Sequence, residues 1–241
     1  MTAPRSAIHG VPSARSRSGV SLIEVMVVVG LMAVVIGVAM PSLSDWMGNQ
    51  RARAAGGARA ALMLRARGAG VRTGNRYVLF FGKRGNTDPA GTPLERDGAW
   101  VPVLLINDGA PVGSDCQIAA GEAFEAIEAV DGISWGVTNA NVAVPTDSGA
   151  APFNASPPPV WDGATFADPS NSKVNWILFR PDGIPVGFSG TAGSCGTVGG
   201  VGSGGGAFYV TNGERDFAVV LSPLGGVRLH LWNRSAGAWS S

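Results

Sequence analysis

The chain has 241 residues, with 18 Lys and Arg against 17 Asp and Glu, 36 Gly, 16 Pro and two Cys. That length holds one long helix and one globular domain of ordinary size, and the helix breakers crowding the chain after about residue 82 exclude a helical C-terminal domain. Ten arginines precede residue 77 with only Glu24 and Asp45 against them, so the remainder is acidic, which argues against nonspecific nucleic-acid binding there.

In chain order, residues 1–19 carry Arg5, Arg15 and Arg17 and no acid, and read as a polar targeting segment. Residues 20–40 come next, with only Ser21 and Glu24 conspicuously polar. A helix of that length crosses about 30 Å of hydrocarbon. A secretory signal has a shorter apolar core, roughly 7–15 residues, and a small-residue cleavage site, of which residues 34–40 offer only a poor version before Pro41. A simple anchor explains the length and leaves Glu24 unexplained, because a carboxylate inside a span costs several kcal/mol unless partnered. Arginines on both sides of the span leave its orientation open.

The alanine-rich stretch after the span predicts a helix running past Pro41 to residue 67, loosened at Gly56-Gly57 and stopped at Gly68 and Gly70. Arginines 51, 53, 59, 65 and 67 spread around such a helix and are expected to solvate its surface, not to form a nucleic-acid stripe.

Residues 77–81, 100–106, 174–179, 207–210, 217–221 and 227–232 are β-branched or aromatic runs between turn residues, and predict strands. The loop at 222–226 suits a hairpin. The proline-rich stretch 139–173 predicts a long surface excursion, and glycine-rich 193–206 a mobile loop. Cys116 and Cys195 invite a disulfide closing a loop of about 80 residues, worth roughly 4–5 kcal/mol in the chain-entropy model. Two separate thiols are the alternative, since sequence does not show that the sulfurs meet.

Gly132-Ile133-Ser134-Trp135-Gly136 matches a nucleophile elbow, with Asp182 and His230 in hydrolase order, yet residues 137–142 are poor helix material. His230 alternates with Leu229 and Leu231 and is expected to face solvent or a sheet neighbour. The dinucleotide-like run at 200–205 precedes a strand and lacks the helix whose N-terminus would hold phosphate. Glu122, Glu125 and Glu128 read as a solvated acidic face, on one short helix, and a calcium site there lacks a recognisable loop. No catalytic residue, metal or cofactor is expected, and no enzyme.

Gly19-Val20-Ser21-Leu22-Ile23-Glu24, with the long apolar run behind it, resembles the class III signal of type IV pilins and type II secretion pseudopilins. The resemblance implies a prepilin leader over 1–19, peptidase cleavage between Gly19 and Val20, and N-methylation of Val20. Val20 stands where phenylalanine or methionine is commoner. Pro41 falls where many members carry a helix-bending proline, and Glu24 would pair with a neighbouring subunit's terminal amine during assembly. Ile177-Leu178-Phe179-Arg180-Pro181-Asp182-Gly183 and the closing hairpin, 218–229, are similar to the GspH/FimT branch. The fold implied is α+β: a long N-terminal helix, membrane half 20–40 and periplasmic half 41–70, packed on an antiparallel β-sandwich over 71–241, as a lollipop. The function implied is a minor pseudopilin of a type II secretion pseudopilus, held in the inner membrane with its globular domain in the periplasm. Its partners would be other pseudopilins, through the N-terminal helix, and the prepilin peptidase. A minor type IV pilin of the FimT type, acting in pilus biogenesis or DNA uptake, is the alternative. DNA-binding members resemble one another in a Gly-Arg-x-Arg cluster, and here Gly225-Gly226-Val227-Arg228 lacks the first arginine.

Overall fold

The structure, a computed structural model, describes residues 20–109, 114–119, 122, 124–148 and 163–240. The leader with Gly19, and the proline-rich 149–162, lie outside the described residues. Two compact units divide the chain, Met1–Asp45 and Trp46–Ser241, and one helix, α1 (Leu22–Thr73), contributes to both.

In the first unit α1 is apolar on every side over Leu22–Met40, and none of that surface is buried. Such a helix has no face to hide from water and suits an apolar solvent. Pro41 lies inside α1 and does not end it.

In the second unit α1 buries one stripe, Ala52, Ala55, Arg59, Leu62, Met63, Ala66 and Ala69, at the three- and four-residue spacing of one helix face. Small residues bring the backbone close to what it packs on: a Cβ on Gly56 would stand 2.9 Å from Leu229 Cδ1. Gly56 is therefore a contact point, not the loosening expected. Gly70 does not stop the helix either. A Cβ there would meet the Arg180 carbonyl oxygen at 2.9 Å. The stop is Gly74, at φ +73°, whose N–H bonds the Gly70 carbonyl.

The strands are β1 (Arg76–Phe81), β2 (Glu95–Arg96), β3 (Ala99–Trp100), β4 (Val103–Asp108), β5 (Phe124–Ile127), β6 (Ser134–Trp135), β7 (Trp176–Phe179), β8 (Pro185–Val186), β9 (Gly206–Thr211), β10 (Asp216–Leu221), β11 (Val227–Asn233) and β12 (Ala238–Ser240). They form two antiparallel five-stranded sheets, β5-β4-β1-β7-β8 and β12-β11-β10-β9-β6, beside the small β2-β3 pair. The run expected as one strand over 100–106 is broken between β3 and β4, where Pro102 has no N–H for a ladder.

Leu62, Met63 and Ala66 of α1 share one core with Leu79 and Phe81 of the first sheet and Phe208 and Val219 of the second. Phe81, Phe166 and Phe208 knit the sheets together, with Phe81 edge-on to Phe208 at 4.5 Å between ring centres. The first sheet's other face carries a second core, Val78, Phe80, Leu104 and Leu178 under Phe188 and the Cys116–Cys195 disulfide (Cα–Cα 4.9 Å). The second sheet's other face buries Ala207, Tyr209 and Ala218 beneath Val144 and Trp239. Burial on both faces is why β1, β9 and β10 read as continuous apolar runs instead of alternating ones.

Several expectations are corrected. The described part of 139–173 is not a surface excursion: Phe166 and Ala164 are fully buried, and Asp147 accepts the hydroxyls of Thr165 and Tyr209. The glycine-rich 193–206 is exposed over most of its length but is tied down at Cys195, at the Gly199 N–H on the Gly187 carbonyl, and at buried Gly204–Gly206. A Cβ on Gly204 would collide with the Pro185 carbonyl carbon at 2.2 Å, which explains a glycine there. Glu125 lies on β5, not on a helix.

Candidate functional site

The described part of the N-terminal unit starts at Val20, and a helical hydrogen bond runs from the Val25 N–H to the Ser21 carbonyl. Glu24 lies in the first turn of α1, where a negative side chain complements the helix dipole. Beyond it the side chains of Leu22, Ile23, Val27, Leu31 and Val35 stand open, Leu22 at 77 %. Leu22–Met40 has 19 residues and a mean hydropathy of 2.7. At 1.5 Å per residue that is roughly 29 Å, the thickness of a bilayer core.

Glu24 is exposed, and among the described residues its carboxylate makes no hydrogen bond or ion pair. A carboxylate at the edge of an apolar helix is costly in lipid, and a cation brought to it relieves that cost. The chain's own side chains in that unit offer none after Arg17. The prokaryotic N-terminal methylation motif matches residues 14–40, spanning the Gly19–Val20 junction, Glu24 and the apolar run. No curated protein and no solved structure matches the chain. The match supports a pilin or pseudopilin class. It points to a structural protein, and an apolar N-terminal helix ahead of a globular unit fits membrane anchoring.

The globular unit of this pilin-like chain places the other sequence candidates as parts of the frame. Ser134 lies on the two-residue β6, paired with Thr211, and Gly136 then bonds the Tyr209 carbonyl, so no helix comes after it as an elbow requires. Gly200–Gly205 turns directly into β9. His230 is buried and not solvent-facing. It lies opposite Ala218, its Nε2 has no partner, and burial, aided by Arg228, holds its pKa below the usual imidazole value.

Phe179 fills the shared core, while Asp182 pairs with Arg180 at 2.8 Å. Gly183, at φ +77°, sits so close to α1 that a Cβ would meet Val71 Cγ2 at 2.9 Å. The hairpin turn is tied to the same helix, with Arg67 Nη1 donating to the Gly225 carbonyl at 3.0 Å. Both motif segments therefore fasten α1 to its sheets, and Arg67 was invisible in this role from the sequence. Arg65 pairs with Glu125.

Arg59 corrects the expectation that every arginine solvates the helix. It is 4 % exposed, lies over the Trp135 ring at 5.2 Å, and donates Nη1 to the Ala55 carbonyl. Its Nε is unpartnered, and burial pulls the guanidinium pKa down to about 10. Asp216 is fully buried and accepts the backbone N–H groups of Thr138, Asn139 and Ala140 at 2.9, 2.6 and 2.6 Å. Nothing in its sequence context announced that clamp.

Proposed function

We propose that this chain is a minor pseudopilin of a type II secretion system, cut between Gly19 and Val20, methylated at Val20, and assembled into a periplasmic filament. Leu22–Met40 holds the subunit in the inner membrane until assembly, with the β-rich unit in the periplasm. Glu24 then pairs with the terminal amine of a neighbour's Val20, and Pro41 bends the helix between its membrane and periplasmic halves. The observation that carries this reading is a carboxylate without a partner at the head of a fully exposed apolar helix, inside a methylation motif. Two charges each unfavourable in hydrocarbon satisfy one another only in the assembled state.

The type IV pilus reading shares every one of these steps. Its DNA-uptake form draws less support, because the hairpin presents Arg228 while Arg67 is engaged with the Gly225 carbonyl.

Glu24→Gln keeps the shape and helix propensity and removes the charge. Membrane insertion and cleavage are expected to survive, since a neutral amide costs less in the bilayer than a carboxylate. Crosslinking to partner pseudopilins, at matched protein levels, is expected to be lost together with secretion. Equal crosslinking and full complementation by Glu24→Gln would show that this carboxylate does not drive assembly.

A further inference from the structure

Three carboxylates meet beside the disulfide, away from the N-terminal helix. Asp108 closes β4 and is fully buried, Glu122 is 6 % exposed, and Asp115 is half-buried. An oxygen from each lies within 4.8 Å of the other two. Asp108 Oδ1 accepts the N–H groups of Asp115 and Cys116 at 3.0 and 2.9 Å. Asp115 Oδ1 accepts the Gln117 N–H, and Glu122 Oε2 accepts the Ala119 N–H at 3.1 Å. These bonds fix how the carboxylates point. They leave Glu122 Oε1 buried with no partner at all. Asp108 Oδ2 meets only Cys116 Sγ, at 3.5 Å, and a disulfide sulfur has no proton to give.

The Arg76 charge favours the ionised form of Asp108, against the larger opposing effect of burial. Among the described residues none of the three acids forms a salt bridge. Arg76, opposite Asp108 across the β1–β4 ladder, turns its guanidinium to Cys195 Sγ at 3.9 Å. Burial pushes the Glu122 carboxyl up to about 7, with the Asp108 and Asp115 charges adding to it, and burial raises Asp108 as well. A buried carboxylate with one unpartnered oxygen, set beside two other carboxylates, has a large electrostatic cost until something positive sits among them.

We propose that Asp108, Asp115 and Glu122 bind a divalent cation, calcium in preference to magnesium. All the donors are hard oxygens, which suits either ion and disfavours a soft metal. The choice between the two is one of ligand number and hydration. Calcium takes several carboxylate oxygens in a flexible shell, whereas magnesium demands a near-ideal octahedron, is held by one or two carboxylates and gives up its waters reluctantly. Three carboxylates gathered from three points of the chain suit the more flexible ion. Three carboxylates leave the other coordination positions to water. The ion would tie the end of β4 to Glu122, two residues ahead of β5, and to the disulfide-bearing turn between them.

The test uses the full chain in detergent at about pH 8, where free carboxylates are ionised. Calcium chloride at about 5 mM is expected to raise the melting temperature by roughly 3–8 °C over chelator, and magnesium chloride to do clearly less. Titration calorimetry with calcium is expected to show one site, weakened at least roughly tenfold in Glu122→Gln. Asp115→Asn, at a half-buried position, is expected to weaken it similarly and serves if Glu122→Gln does not fold. No calcium-dependent shift in the native chain would overturn the proposal, and would leave a shared proton as what holds the cluster. An equal calcium response in the native chain and the variants would overturn it too, by placing the ion elsewhere. A magnesium response matching calcium would overturn the stated preference.

Discussion

His230 shows what a strand does to a titratable side chain. Leu229 packs towards Gly56 of α1, so alternation along β11 turns His230 to the opposite face, the one it shares with its partner Ala218. The neutral ring is tolerated there and the charged ring is not, which is why its pKa is lowered. The unfolded chain, at the ordinary histidine value near 6.5, binds the proton first as pH falls. The folded state thus loses stability to this group below about pH 6.5. Melting curves between pH 7.5 and 5.5, conditions bracketing that value, are expected to show the native chain falling relative to His230→Gln. Parallel curves would mean that His230 protonates as readily folded as unfolded. Residues of this kind were not legible beforehand. A histidine between leucines leaves solvent and a sheet neighbour both open, and an arginine such as Arg59 on an alanine-rich helix and a glutamate such as Glu122 read as surface groups. Their burial is decided by segments distant in sequence, Trp135 for Arg59 and Asp108 for Glu122. The methylation motif around Glu24 was legible for the opposite reason, because it is written wholly in adjacent residues.

At the scale of elements, glycine divides into two kinds along α1. Gly70 has the Arg180 carbonyl oxygen 2.9 Å from where a Cβ would stand, and backbone cannot step aside as a side chain can. Gly57 has nothing within 4 Å. Both substitutions to alanine gain helix propensity, about 1 kcal/mol in a helix interior. Gly57→Ala is therefore expected to raise stability by up to about 1 kcal/mol, and Gly70→Ala to lower it by roughly 1–3 kcal/mol through the forced shift. Thermal melts of the full-length variants check this, at about 2–4 °C per kcal/mol for a protein of this size. Gains of equal size at both positions would contradict the close approach of α1 to the Asp182-Gly183 turn. Strand existence was largely legible, since doubly buried strands are continuous apolar runs. The pieces that escaped sequence reading are short ones, β2, β5, β6, β8 and β12, whose two to four residues pair through position and not through composition.

For the molecule as a whole, the two units answer to different solvents. Trp46–Ser241 buries two sheets and an amphipathic helix half around a shared core, with a disulfide on the outer core of the first sheet. Met1–Asp45 contains an apolar stretch that buries nothing of itself, which fits a place where lipid or neighbouring helices supply the contact. Assembly as proposed requires that stretch to be released as a new N-terminus at Val20. Mass spectrometry of the protein made beside a prepilin peptidase tests this most directly. The expected product is a chain beginning at Val20 and carrying one N-terminal methyl group. A chain still beginning at Met1, or one cut near Pro41, would contradict it.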